Sequence, residues 1–222
     1  MKTTLSMLAC SALLLPALPG AAAEDVSPAE KALFVTNHLA TLTPPTTLRY
    51  SFRKGGSLEP GFDDKVSISL RAQSDGRCCA AAAEFLSGSR RLALPEVESA
   101  QGNPVILYFL ERDIREMQRL TKGQPNYFRK RIRMAVYQGA TMNEASVNYR
   151  GRSVAARQIT VAPYVDDPLR GRFEALAGKR YVFTLSGQVP GGVVGIRSQV
   201  DGAGAPPLLV EEMTLEGVSR QP

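Results

Sequence analysis

Histidine and cysteine are the residue types in this chain of 222 residues that are best suited to acid–base, nucleophilic or metal chemistry. The only histidine, His38, lies in a predicted helix among apolar residues, where a structural role is more common than that of a base. Cys78 and Cys79 are adjacent, and neighbours on a strand point to opposite faces, so we expect two isolated small residues rather than a strained disulfide ring. One histidine and two adjacent cysteines do not make a zinc site.

Paired carboxylates occur at three places: Asp63–Asp64, Asp166–Asp167 and Glu211–Glu212. Adjacent carboxylates diverge on a strand, and two of the pairs lie in predicted loops, whereas the acid pair of a glycosidase must face across a substrate. The chain has neither a Gly-x-Ser-x-Gly elbow nor a phosphate-binding loop. We therefore predict a protein that is not an enzyme and has no cofactor.

Arginine forms the more promising clusters. Arg129, Arg131 and Arg133 alternate along a predicted strand and would project from one face, with Arg150 and Arg152 on the next hairpin extending the same patch. Like charges at this spacing repel, so the face is either exposed or matched by an anion. Two interpretations remain open, namely protection of a sheet edge and a docking face for anionic lipid, polymer or protein.

The N-terminal residues 1–23 have the pattern of an export signal: one charge at Lys2, an apolar stretch, and small residues at Ala21–Ala23. The apolar stretch is too short and too interrupted by proline to span a membrane well. We predict cleavage before Glu24, a periplasmic or secreted location, and one β-rich domain over residues 24–222.

The chain is basic, with a formal net charge of +6, of which the signal contributes one lysine. A basic exported protein meets anionic headgroups, envelope polymers or acidic partners. Nucleic acid is not an expected partner because no nucleic-acid-binding motif is present.

Two helices are predicted from their caps and their apolar faces. The first starts at Ser27 and ends near Thr41; the second is capped by Asn103 and ends before Gly123. The second helix is expected to expose a charged face composed of Glu111, Arg112, Arg115, Glu116 and Arg119.

Alternation of apolar and polar residues predicts roughly nine or ten strands, with a tight turn at Asp75–Gly76. The predicted strands are 48–53, 65–71, 77–85, 91–94, 127–136, 143–149, 153–162, 181–185, 193–200 and 208–215. A short helix remains open for the alanine-rich segment 77–85.

These elements predict an α+β fold that is mostly antiparallel β, in which a curved, open half-barrel holds two amphipathic helices against its concave face. The candidate ligand-binding residues are the apolar side chains of that face: Leu48, Tyr50, Phe52, Ile68, Leu70, Ile132, Met134 and Val136. Whether these side chains fill the interior or leave a cavity stays open at this stage.

The order of elements, helix, strands, helix and then a longer run of strands, resembles the lipoprotein carrier and lipoprotein receptor half-barrels of the Gram-negative envelope. Short segments are also similar to those of uncharacterised exported proteins of the same appearance, namely Tyr181–Ser186, Val189–Gly192 and Asn103–Asp113. The resemblance implies a periplasmic protein that holds an acyl chain or an apolar peptide. It transfers no functional residue.

We therefore predict an exported protein that binds a lipid or another apolar ligand, or chaperones an envelope component, without catalysis. The expected partners are a lipid or lipoprotein acyl chain and an anionic membrane surface or envelope protein. The alternative is a structural or protein-interaction component of the envelope, with a filled core and a basic docking face.

Overall fold

A computed structural model describes residues 26–74, 78–100, 102–204 and 206–220. They form one antiparallel sheet of eight strands in the order β3-β2-β1-β8-β7-β6-β5-β4, together with three helices. The strands are β1 (Thr46–Gly55), β2 (Phe62–Ala72), β3 (Cys78–Phe85), β4 (Thr141–Tyr149), β5 (Arg152–Val161), β6 (Arg180–Leu185), β7 (Val193–Val200) and β8 (Leu209–Arg220). The helices are α1 (Pro28–Glu30, continued by the π-helical turn Lys31–Val35), α2 (Pro104–Thr121) and α3 (Pro125–Gly139).

The predicted α+β class and the open, antiparallel sheet are confirmed, although the number of strands is smaller than expected. Residues 127–136 belong to α3, and the predicted strand 91–94 contributes only an isolated bridge between Phe85 and Leu92. The signal segment and the Asp75–Gly76 turn lie outside the described residues, so both stay predictions.

The strand order explains why the helices lie across the sheet. The chain runs from the central strand β1 to the edge strand β3, and resumes at the opposite edge with β4. Seven strand spacings separate these edges in a flat sheet, which is roughly 34 Å. An 18-residue helix such as α2 spans about 27 Å, so α2 and α3 together cover this distance over one face.

The sheet is curved at the end where the β4–β5 hairpin turns. Arg150 Nη2 at the hairpin tip donates to the carbonyl oxygen of Glu216 on β8 at 3.4 Å, although three strands separate β4 from β8. In a flat sheet these two strands would lie about 19 Å apart. The open half-barrel architecture therefore matches the sequence prediction.

The strand predicted for 127–136 is wrong, because this segment is the helix α3. Pro125 occupies its first turn, and Phe128, Ile132 and Val136 form a buried stripe at a spacing of four residues. Met134, which the strand pattern would bury beside Ile132, is only partly buried. Residues four apart lie on one face of a helix and also on one face of a strand. The apolar pattern of this segment is therefore compatible with both structures, and the alternating arginines fit a strand as well.

Two local expectations also need correction. The first helix ends at Val35 rather than near Thr41, so His38 lies in the turn that follows. The predicted N-cap of the first helix is correct, since Ser27 Oγ accepts a hydrogen bond from the Glu30 amide at 3.1 Å. Cys78 and Cys79, expected to be separate, are joined in a disulfide across a cis peptide bond.

Among the described residues, no helix is long and apolar enough to cross a membrane.

Candidate functional site

The concave face of the sheet is a packed core. Leu48, Tyr50, Phe52, Ile68 and Leu70, predicted to contact ligand, are at most 1% exposed and belong to one hydrophobic cluster with α2. Their contact with a ligand stays a prediction, but the structure already fills the space in front of them with protein side chains.

An open cleft of about 610 Å³ lies elsewhere, between the helices and the segment that follows β3. Its apolar lining comes from α1 and its π-helical turn, α2, α3 and the segment 91–100: Phe34, Pro95, Val97, Leu107, Leu110, Ile114 and Ile132, with Tyr108 beside them. Its charged lining is Glu30, Glu111, Arg129 and Arg133. Of the eight predicted ligand-binding residues, Ile132 is the one that lines this cleft.

The start of α2 is fixed by its cap. Asn103 Oδ1 accepts from the Val105 amide at 3.0 Å, while Asn103 Nδ2 lies 2.8 Å from the Gly191 carbonyl oxygen and 3.0 Å from His38 Nδ1. Burial lowers the pKa of His38, which favours a neutral ring that accepts this hydrogen bond. His38 is therefore a structural residue that holds the Asn103 side chain, and Asn103 in turn ties the start of α2 to the β6–β7 loop.

The wall formed by residues 91–100 is held against β3. Val97 exchanges backbone hydrogen bonds with Ala81 at 2.8 and 2.9 Å. The Tyr108 hydroxyl donates to the carbonyl oxygen of Ala81 at 2.7 Å and also lies 3.1 Å from that of Pro95. Burial raises the pKa of Tyr108, so this hydroxyl remains protonated and keeps the wall in place at neutral pH.

The three arginines of α3 do not form one row, contrary to the strand prediction. Arg129 binds Glu111 of α2 through two contacts of 2.7 and 2.9 Å from Nη2. Arg131 points to the other side of the helix, where it lies 2.8 Å from the buried Asp167 carboxylate. Arg133 is exposed on the cleft and forms no ion pair among the described residues.

Arg150 and Arg152 lie at the β4–β5 hairpin, and Arg150 contacts β8 rather than α3. Arg129, Arg131 and Arg150 thus each contact a different part of the structure. Only Arg129 and Arg133 share a site, and that site is the cleft.

Buried charges beneath α2 were not identified from the sequence. Arg112 and Glu116, expected in solvent, contact the sheet through Glu211 and Lys54, and Lys179 contacts the neighbouring Asp113. Both Asp113 and Lys179 are fully buried, and Asp113 also accepts from the Tyr181 hydroxyl at 2.6 Å. Such pairs form only where opposite charges meet in the fold, so helical periodicity has no signal for them.

Members of the acidic pairs point to different partners. Glu211 is buried against Arg112, whereas Glu212 pairs with Arg197 at the surface. No cluster of three or more metal-binding side chains occurs within the described part of the chain. The described residues thus form an open cleft, and the members of the Glu211–Glu212 pair diverge.

Comparisons with known proteins show architecture alone. No protein-family model and no curated protein matches the chain. The lipoprotein LppX of Mycobacterium tuberculosis is similar at 9% identity and a TM-score of 0.34, over 78% of this chain and 86% of that one. A LolA-superfamily protein of Nitrosomonas europaea is similar at 8% identity and a TM-score of 0.21, over 87% and 90%. The resemblance predicted from the sequence is thus a weak one of architecture.

Proposed function

We propose that this protein is exported and binds an amphiphilic ligand without catalysis, with the ligand's apolar chain in the cleft between the helices and its anionic headgroup at Arg133. The observation that carries the proposal is the composition of the cleft. Buried apolar side chains form its floor, and Arg133, which has no ion-pair partner among the described residues, lies on its rim.

The dimensions of the cleft are compatible with this role. Its volume of about 610 Å³ lies within the ordinary range of small-molecule sites, roughly 300–1,000 Å³. Burial of an acyl chain contributes about 0.8 kcal/mol per methylene, so six methylenes would contribute roughly 5 kcal/mol.

Arg133 is the charged lining residue suited to a carboxylate or phosphate headgroup. A guanidinium binds either anion through paired hydrogen bonds. Arg129 is already engaged by Glu111, which leaves Arg133 as the group that meets the ligand. Arg133 would meet the same anionic headgroups if the mouth of the cleft faced an anionic membrane surface.

A second candidate is a structural or protein-interaction component of the envelope. The filled concave face favours it, because Leu48, Tyr50 and Phe52 leave no interior space for a chain. In that case the cleft would be a surface depression without a resident ligand.

Native mass spectrometry of the protein, purified from the periplasm without detergent and followed by lipid extraction, tests the proposal. We expect a stoichiometric adduct that extracts as a fatty acid or phospholipid. An apo mass, combined with no binding of added fatty acid or phospholipid, would favour the interaction component.

The variant Leu107→Glu places a charge within the cleft on a side chain that is 42% exposed, so folding should be retained. We expect fatty-acid affinity, measured by fluorescence displacement, to fall at least tenfold because the chain would be buried against a carboxylate. Leu58→Glu is the matched control, since Leu58 is 37% exposed on the β1–β2 loop, outside the cleft. Equal affinities in the two variants would place the ligand elsewhere.

The variant Arg133→Ser tests the headgroup contact. We expect weaker binding of anionic amphiphiles and unchanged binding of a neutral alcohol of the same chain length. Arg152→Ser, at the exposed β4–β5 hairpin, serves as the control for the loss of one positive charge.

A further inference from the structure

The two edges of the sheet differ in how they are covered. The edge strand β3 is bonded on its outer side by the segment 91–100, through the bridges Ala81–Val97 and Phe85–Leu92. Among the described residues, β4 pairs with β5 alone, and no backbone hydrogen bond joins β4 to any other segment. The outer backbone groups of β4 are therefore available to another strand.

The β4 strand lacks the features that usually discourage pairing at an edge. Its nine residues include no proline, lysine or arginine, and its register with β5 has no bulge. Its one charged side chain, Glu144, lies 2.9 Å from Arg157 of β5. The edge is regular and carries a single charged side chain.

The hairpin turn shows which backbone groups face outward. Arg150 and Gly151 form a two-residue turn with positive φ values of 52° and 78°, so Tyr149 and Arg152 are a hydrogen-bonded pair. Hydrogen-bonded and non-bonded pairs alternate along an antiparallel ladder. The outward amide and carbonyl groups therefore belong to Met142, Glu144, Ser146 and Asn148.

We propose that β4 pairs antiparallel with β4 of a second copy of this chain, around a two-fold axis at Ala145. In this register Met142 pairs with Asn148 of the other copy, and Glu144 pairs with Ser146, so all four outward residues find partners. Moving the axis to Glu144 would place two carboxylates opposite each other, which is destabilising. The axis at Ala145 pairs the outward backbone groups of both strands and keeps the two Glu144 carboxylates from lying opposite each other.

A second copy is favoured over an unrelated peptide because this edge complements itself. A two-fold contact uses the same patch on both subunits, and the β4 sequence meets that condition without like charges in opposition. The proposal is independent of the ligand in the cleft. It predicts a dimer with one continuous sheet of sixteen strands, twice the eight of one chain.

The first test is a disulfide that reports the register. At the proposed axis, Ala145 faces Ala145 of the other copy in a non-bonded pair with Cα atoms about 4.5 Å apart, within disulfide range. Ala145→Cys should form a covalent dimer under mild oxidation, located by peptide mapping. Asn143→Cys is the matched control, because its copies would be roughly 13 Å apart along the strands.

The second test is sedimentation of the whole mature chain. We expect the wild type and Ser146→Ala to sediment as dimers with twice the monomer mass, and Ser146→Pro to sediment as a monomer with an unchanged circular dichroism spectrum. Proline removes an outward amide hydrogen while the ladder with β5 is retained. A monomeric wild type at every concentration, or equal cross-linking of the two cysteine variants, would overturn the proposal.

Discussion

Individual charged residues hold α2 on the sheet. Asp113 and Lys179 are fully buried and form an ion pair. Asp113 also accepts a hydrogen bond from the Tyr181 hydroxyl. Arg112 and Glu211 form a second buried pair. A buried charge is tolerated only while its partner is present, so each of these residues depends on one that is distant in sequence.

Removal of one partner should therefore be costly. We expect Lys179→Met to lower the free energy of unfolding by about 3–5 kcal/mol, because it leaves Asp113 charged and buried. The double variant Lys179→Met/Asp113→Leu should recover much of that loss. Urea unfolding measures both changes, and Arg53→Met, which removes a pair in which both side chains are more than 70% exposed, is the control. A loss in the control as large as that in Lys179→Met would contradict this account.

Glu116 should give the protein an acid-sensitive component of stability. Burial opposes its ionisation, but hydrogen bonds from Arg119 and Lys54 outweigh burial and lower the pKa of Glu116 from 4.5 to about 2. The unfolded chain therefore binds more protons between these values, and this contribution is complete above pH 4.5 and lost as the pH falls towards 2. Glu116→Gln should flatten the acid limb of the plot of stability against pH. An acid limb identical to that of the wild type would exclude Glu116 as the source.

At the scale of elements, α3 shows how one apolar spacing serves two structures. Phe128, Ile132 and Val136 occupy one face of a strand as well as one stripe of a helix. Lys130 and Met134 distinguish the two, since a half-buried strand would place both on the apolar face, and the structure leaves Lys130 exposed. The lysine was the signal in the sequence that favoured a helix.

Alanine substitutions distinguish the two structures by experiment. Ile132 is 3% exposed, so Ile132→Ala should lower the free energy of unfolding by about 2–5 kcal/mol. Met134→Ala, on the neighbouring helical face, should cost less than about 1 kcal/mol. Equal losses in chemical denaturation would favour the strand.

At the scale of the whole molecule, the first and last strands, β1 and β8, pair with each other in the interior of the sheet. The segment between β3 and β4 must therefore cross the entire face, and it does so as two helices. α1, α2, α3 and the segment 91–100 meet without filling the space between them, which produces the cleft. The proposed binding site thus follows from the connection between opposite edges.

Export is the remaining prediction at this scale. We expect the full chain, expressed in a Gram-negative host, to be recovered from the periplasm with Glu24 as its first residue by intact mass. Replacement of Ala23 by leucine should leave a longer, unprocessed species, because the peptidase requires a small residue at that position. A mature mass that retains residues 1–23 would show that the segment is not cleaved.

The sequence by itself determined the elements whose periodicity is unambiguous. The alternation in β1 and β2, the Arg150–Gly151 hairpin and the caps of α2 are local patterns, and they predicted an open antiparallel sheet with helices against it. The tertiary structure decided the rest: that α3 is a helix, that Asp113 meets Lys179 across 66 residues of sequence, and that the cleft lies between helices rather than on the concave face. The physical reason is that periodicity reports which face of an element is buried, whereas partners and cavities depend on which faces the fold brings together.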